Sequence, residues 1–185
     1  MRWLVKKTLA ALAVALVAGT AAAQAPAPAA PAPLRIPTGD GEVILPTPAD
    51  KQNYDDYGYA AIRRAGDLVY ISGVVIGRRP DEGKDIPAFK DQVRRGFRRL
   101  GAYLKAAGLT FDDVAMIHSY HVWQGPNFSG TRAEQFKAFK EVKAEFMTGP
   151  SPAWTAAGVT SLLGDTGIVE VEMIAHARSR GRSGR

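Results

Sequence analysis

Two carboxylates one residue apart, Glu170 and Glu172, stand in the run Ile168-Val-Glu-Val-Glu-Met-Ile-Ala175. Alternation of this kind is the period of a β-strand, which sends both acids to one face and Val169, Val171 and Met173 to the other. Carboxylates so placed can take up and return protons or orient a water, the work of a general acid or base. A wetted polar sheet face has the same pattern, and alternation alone favours that plainer reading. His118 and His121 are the other groups with proton or metal chemistry. Three apart on a strand they point to opposite faces, so no shared metal ion is expected, although one of them could line a pocket. The chain has no cysteine, which excludes a thiol nucleophile, a thiolate metal site and a disulfide framework. A Walker-type loop, a GxGxxG turn after a strand, a GxSxG elbow and an HExxH pair are also absent.

Placing those carboxylates requires a sheet and something to cover it. Ala60 to Arg64 and Asp67 to Ser72 are β-type segments separated by Ala65-Gly66 and read as a hairpin. From Pro87 the residues Phe89, Val93, Phe97, Leu100, Leu104 and Ala107 recur at three- and four-residue steps up to Gly108, which predicts one long amphipathic helix. Arg94, Arg95, Arg98 and Arg99 fall mostly outside that stripe. They read either as a solvated face, the commoner case, or as a phosphate-binding one. Val114 to Val122 is a further strand. Thr131-Arg-Ala-Glu134 is a capping box opening a second helix on Phe136, Phe139, Val142 and Phe146, stopped by Gly149-Pro150. Pro152 to Val159 and Ile168 to His176 close the series as strands. The order is ββαβαββ, with room for one more strand at Glu42 to Leu45. Two one-sided helices should cover one face of a single mixed sheet, an α+β architecture whose other face needs a partner.

The 185 residues suffice for one domain of ordinary size. Formal charge is +6, from 24 basic and 18 acidic residues. Setting aside Arg2, Lys6 and Lys7 at the start and Arg178, Arg180, Arg182 and Arg185 at the end leaves 17 basic against 18 acidic. The charge excess therefore lies at the termini, and nucleic acid is not the expected partner of the domain itself. Residues 1–23 run from basic through apolar to small, the order of a secretory signal peptide, with cleavage after Ala23 or Ala25. The apolar run of about a dozen residues is short of the roughly 20 needed to span a bilayer, so no stable membrane anchor is expected. An exported, periplasmic protein is the expectation. Residues 24–40 alternate Ala and Pro for much of their length and read as a spacer, 41–177 as the folded domain and 178–185 as a basic tail.

Four stretches in order carry a family resemblance: Tyr59-Ala-Ala-Ile-Arg-Arg-Ala-Gly-Asp-Leu-Val-Tyr-Ile-Ser-Gly73, Leu104-Lys-Ala-Ala-Gly-Leu109, Pro152-Ala153 and Val169-Glu-Val-Glu-Met-Ile-Ala175. They resemble the Rid family of reactive-intermediate (enamine/imine) deaminases over about residues 55–177. The resemblance implies a chorismate-mutase-like α+β fold, a homotrimer with the sheets facing inward, and small-molecule clefts between subunits. It implies hydrolysis of a small imino or enamino acid derived from amino-acid metabolism to a keto acid and ammonia, without metal or organic cofactor. By residue it makes Glu170 the catalytic acid that positions water, and it places Tyr59, Ser72 and Gly73 around the ligand. Glu172 keeps a structural role.

The chain departs from the family where the substrate carboxylate is held. The pattern Pro-Ala-Arg is here Pro152-Ala153-Trp154, so the two-toothed guanidinium contact is lost and an apolar wall replaces it. The cysteine two residues on is Ala156, and the cleft asparagine of the second helix corresponds to Ala133. Arg63 or Arg64 could supply a replacement cation. Three functions remain open: a deaminase of altered substrate preference, a non-catalytic cleft for a small apolar or aromatic metabolite, and RNA binding or cleavage.

Overall fold

The computed structural model describes residues 31–177. The signal segment 1–23, the first part of the spacer and the tail 178–185 lie outside the described residues. One seven-stranded sheet runs through the molecule in the order β1(Leu34–Thr38), β2(Gly41–Leu45), β3(Ile62–Ala65), β4(Leu68–Gly77), β7(Gly167–His176), β5(Val114–His121), β6(Ala153–Gly158). Every pairing is antiparallel except β5 with β6. That parallel pair needs a crossover, and helix α3(Arg132–Phe146) supplies it. The result is the mixed α+β architecture expected, with three helices where two were predicted.

The third helix is α1(Pro48–Tyr57). Its sequence, Pro-Ala-Asp-Lys-Gln-Asn-Tyr-Asp-Asp-Tyr, has no apolar stripe, so periodicity gave no sign of it. Its caps hold it instead. Thr47 accepts from the Asp50 amide, Asp50 Oδ2 accepts from the Thr47 amide at 3.1 Å, Pro48 sits at the first helical position, and Gly58 ends the helix at φ +72°. Asp50 is buried and also ties α1 to α2(Ile86–Ala106), accepting from Tyr103 Oη at 2.5 Å and from Arg99 at 3.2 Å.

The start of the domain needs a second correction. Leu34 to Thr38 pairs along its length with Gly41 to Leu45, so the sheet begins within the stretch read as spacer. Pro37 lacks an N–H, which an edge strand tolerates and a central one does not. The first hairpin is also longer than expected, since β4 continues to Gly77.

Helix α2 is the main cover. Phe89, Val93, Phe97, Leu100 and Leu104 are all fully buried. Burying one such side chain contributes about 1.5–3 kcal/mol relative to leaving it exposed. Gly96 lets α2 close on β4, because a Cβ there would fall 2.7 Å from Ile76 Cδ1. Beneath it, β4 presents Val69 and Ile71 and then Val74 and Ile76 to the core. The switch from odd to even numbers marks a bulge. Ile71 pairs with Met173 and Val74 with Val171, so Ser72-Gly73 adds one residue on the β4 side and keeps both halves of the strand facing inward.

Across the three central strands the other face is helix-free and carries three rows in register. Tyr70, Ile174 and Met116 form one row, Glu172 and His118 the next, and Val75, Glu170 and Tyr120 the third. Tyr70 and Val75 are exposed by 42% and 41%, large values for an aromatic and a branched aliphatic residue on a sheet. None of the described helices is long and apolar enough to cross a membrane.

Candidate functional site

The bulge and β7 bring Glu170 and Gly73 together. A Cβ on Gly73 would lie 2.7 Å from Glu170 Cδ, so only glycine leaves room for the carboxylate against the backbone. Burial raises the Glu170 pKa above the ordinary carboxylate value, and the negative charge of Glu172 adds to the effect. Such a carboxyl holds a proton more readily than a free one, which suits it to taking up and returning protons. Ser72 supports the bulge rather than pointing a free hydroxyl outward. Its Oγ donates to the Ala60 carbonyl at 2.6 Å and its amide to Ala61 at 3.0 Å. Those bonds fasten the segment after α1 to the bulge, and Tyr59, half-exposed, is the residue next to that fastening.

Glu172 has partners of its own. His118 Nδ1 stands 2.9 Å from Glu172 Oε1, and Tyr120 Oη donates to the same oxygen at 3.3 Å. The imidazole approach lacks the alignment of a hydrogen bond, so it contributes charge attraction only when His118 is protonated. Proximity to the two carboxylates and partial burial raise the Tyr120 pKa, burial first.

Trp154 does not join this group. It pairs with Ile117 across β5 and β6, a register that turns it to the helix-covered face, opposite Glu170. Its indole stacks on Phe136 of α3 with ring centres 5.1 Å apart, and Lys143 Nζ stands 5.2 Å from the ring centre. Its one donor is spent internally, because Nε1 donates to Ser119 Oγ at 2.9 Å.

That bond opens a buried chain that the sequence reading missed. Gln135 Nε2 donates to the Val122 carbonyl at 3.0 Å, which turns Gln135 Oε1 toward His121 Nδ1 at 3.2 Å. Nδ1 must then carry the imidazole proton, and Nε2 accepts from Ser119 Oγ at 2.9 Å. From Trp154 through Ser119, His121 and Gln135 to Val122, every donor has an acceptor. Burial lowers the His121 pKa, which keeps the ring neutral. The available signal was Ser119 and His121 on the core side of an otherwise apolar strand, with Gln135 on the buried side of α3.

Beside this chain opens a cleft of about 370 Å³ between β6 and the start of α3. Ala133 and Ala156, the positions where the Rid pattern has polar groups, both line it. So do Trp123, which rests over Gly158, and Arg132, whose guanidinium stands 5.8 Å from the Trp123 ring centre. Arg63 and Arg64, the cations proposed from sequence, are engaged elsewhere. Arg63 pairs with Asp40 at 2.5 Å and Arg64 Nε donates to the Gly66 carbonyl at 3.1 Å. Among the described residues no three His, Asp or Glu side chains are grouped to hold a metal ion.

A mixed sheet with helices on one side, and on the other a half-buried carboxylate lodged against a glycine bulge, is the class of small α+β protein that the Rid-like motifs point to. Residues 52–177 match the family model described as endoribonuclease L-PSP, and the chain belongs to that family. It is 40% identical over 119 residues to the RutC family protein YjgH of Escherichia coli, covering 63% of this chain and 83% of that protein. A 2-iminobutanoate/2-iminopropanoate deaminase of Dermatophagoides farinae is 29% identical over 132 residues, covering 71% of this chain and 93% of the relative. The solved structure of protein YJGH superposes with a TM-score of 0.52 at 37% identity, covering 66% of this chain and 86% of that one.

Proposed function

We propose that the protein hydrolyses a reactive enamine or imine metabolite, without metal or organic cofactor, in clefts shared between the subunits of a homotrimer. The observation that carries the reading is the Glu170 carboxylate, its proton affinity raised by burial, packed against the Ser72-Gly73 bulge. Water adds to the imine carbon while Glu170 takes its proton. That proton passes to nitrogen to give a carbinolamine, and the carbinolamine's hydroxyl proton is then carried to nitrogen as the C–N bond breaks, so that carbonyl compound and ammonia leave. Tyr59 and the backbone of Ser72 and Gly73 border the ligand in this scheme. The presence of an iminobutanoate deaminase among the relatives supports the chemistry.

The two halves of the site face opposite sides of one chain's sheet, so a cleft using both joins the Glu170 face of one copy to the Trp154 side of the next. That geometry supports an assembly of several copies, as does the exposed apolar row on the helix-free face. Substrate preference differs from that of a carboxylate-clamping enzyme. Trp154 has no charge, its donor is occupied, and the neighbouring cleft is walled by Phe136 and Trp123. A flat or apolar substrate suits these walls. Trp154→Arg should raise kcat/KM on amino-acid-derived imines about tenfold or more, the scale of one charge-assisted hydrogen bond. If the natural protein is already as active on them as the variant, the altered preference is refuted.

A second reading, a non-catalytic binder of a small apolar metabolite, draws on Ala133 and Ala156 lining the cleft where the Rid pattern has polar side chains. Turnover of any enamine or imine that disappears in Glu170→Gln excludes it. We further propose export to the periplasm. Fractionation with mass spectrometry should find a form shortened at the N-terminus, and full-length protein in the cytosol would refute this.

A further inference from the structure

The arginine run of α2 divides in the folded molecule. Arg94 is neutralised at the surface by Asp91 and Glu145, both at 2.7 Å. Arg95 and Arg99 instead line a second cavity, of about 510 Å³, between α2 and the last residues of β4. Arg78 and Arg79, which follow β4 directly, enter the same cavity with Gln92 and Thr166. The four guanidinium groups come as two pairs, one after β4 and one on α2, and the packing of α2 on β4 brings the pairs together.

Their charge is only half compensated. Glu82 pairs with Arg95, with Nη2 at 3.0 Å from Oε2, and Asp50 stands 3.2 Å from Arg99. Arg78 Nη1 donates to the carbonyls of Pro80 and Glu82 at 3.2 and 2.7 Å, and meets no carboxylate. The Arg79 guanidinium has no acceptor among the described residues, although its backbone amide donates to Glu82 at 2.9 Å.

Two atoms of the cavity's lining residues are buried without a hydrogen-bond partner, Arg78 Nε and Gln92 Oε1. Gln92 is only 1% exposed, and its amide nitrogen is committed to the Gly83 carbonyl at 3.2 Å. A buried donor and a buried acceptor left unpaired each forfeit the hydrogen bond that water gave them in the unfolded chain. One is an N–H that needs an acceptor and the other an oxygen that needs a donor.

We propose that this cavity binds a phosphate-class oxyanion that carries an O–H group: free phosphate, or a phosphate monoester with a neighbouring hydroxyl. The anionic oxygens accept from Arg78 and Arg79, and the O–H donates to Gln92 Oε1. Seating the anion requires the Arg78 and Gln92 side chains to turn these atoms toward it. Ordered water alone is the rival occupant of a polar cavity.

Calorimetric titration of the full-length protein with inorganic phosphate, glycerol 3-phosphate and sulfate separates the possibilities. Sulfate has the charge and shape of phosphate but no proton to donate at neutral pH. The expected result is saturable phosphate binding at least about tenfold tighter than sulfate, weakened about tenfold or more in Arg79→Ala. Gln92→Met should bring the two anions to similar affinity. Tighter binding of glycerol 3-phosphate identifies a monoester as the ligand, and tighter binding of phosphate identifies the free ion. Because Gln92 is buried, circular dichroism must show Gln92→Met folded. Arg79→Ala, at an exposed position, tests the site independently. Equal affinity for phosphate and sulfate, no saturable binding, or binding unchanged in Arg79→Ala overturns the proposal. Glu170→Gln should leave phosphate binding intact, which separates this site from the proposed deaminase chemistry.

Discussion

Glu170 shows a conflict between stability and activity within one side chain. Burial and Glu172 raise its pKa, so the folded protein keeps this proton where the unfolded chain has lost it. Its contribution to stability is therefore greatest below the ordinary carboxylate value and falls as pH rises through the raised one. Glu170→Gln removes the ionisation and should raise the melting temperature at pH 7 while making little difference at pH 3.5. Activity on an enamine or imine should drop about 100-fold or more, the usual contribution of a positioned acid or base. Melting curves at the two pH values check the first part and steady-state kinetics the second. Alternation in Ile168–Ala175 already paired Glu170 with Glu172 on one face. The proximity of Gly73 was legible only through the family resemblance, because it arises from a bulge on a strand nearly a hundred residues earlier in the chain. Trp154 was legible as a residue and not as a position: its side of the sheet follows from the parallel register of β6 on β5, which no local pattern encodes.

At the scale of elements, the long apolar stripe of α2 and the capping box of α3 were readable because each is a local rule. Helix α1 was not, since its residues are polar and its stability comes from caps and one buried acid. Asp50 closes the capping box, binds Tyr103 and faces Arg99. Asp50→Ala should cost about 2–3 kcal/mol, from the lost cap together with a buried Tyr103 hydroxyl left without its acceptor. Tyr103→Phe, which removes a single hydroxyl, should cost about 1 kcal/mol. Urea unfolding of both variants measures the difference, and similar values would show that Asp50 acts only as a cap. In the connection after β4, the guanidinium of Arg95 holds Glu82 down to a pKa of about 2. Stability from that pair is complete above the ordinary carboxylate value and is lost only as pH falls toward 2.

For the whole molecule, the helix-free sheet face is the surface through which the proposed homotrimer would assemble. Tyr70 and Val75 flank the carboxylate rows, and isolated copies would leave both in water. If the proposed homotrimer buries this face, Val75→Asp places a charge in the contact and should yield monomers in light scattering at micromolar concentration. The same variant should lose activity, because the shared cleft is lost with the assembly. A trimer unaffected by Val75→Asp would move the contact elsewhere. That one sheet face would be left uncovered was legible from two one-sided helices. What covers it was suggested only by the family resemblance, since a second copy leaves no periodic mark on the first.

The bulge at Ser72-Gly73 also sets which changes in length the gene can tolerate. Deleting one residue there would restore strict alternation along β4 with Val74 and Ile76 still facing inward, but it would remove the extra residue that brings Gly73 against Glu170. Val74 and Ile76 would keep their places beneath a helix that Gly96 holds close, while the Glu170 carboxylate would lose the backbone it packs against. A one-codon deletion would spare the core and dismantle the proposed site. Lineages of this protein should therefore vary in the lengths of their surface loops while the spacing from Ile71 to Val74 stays fixed.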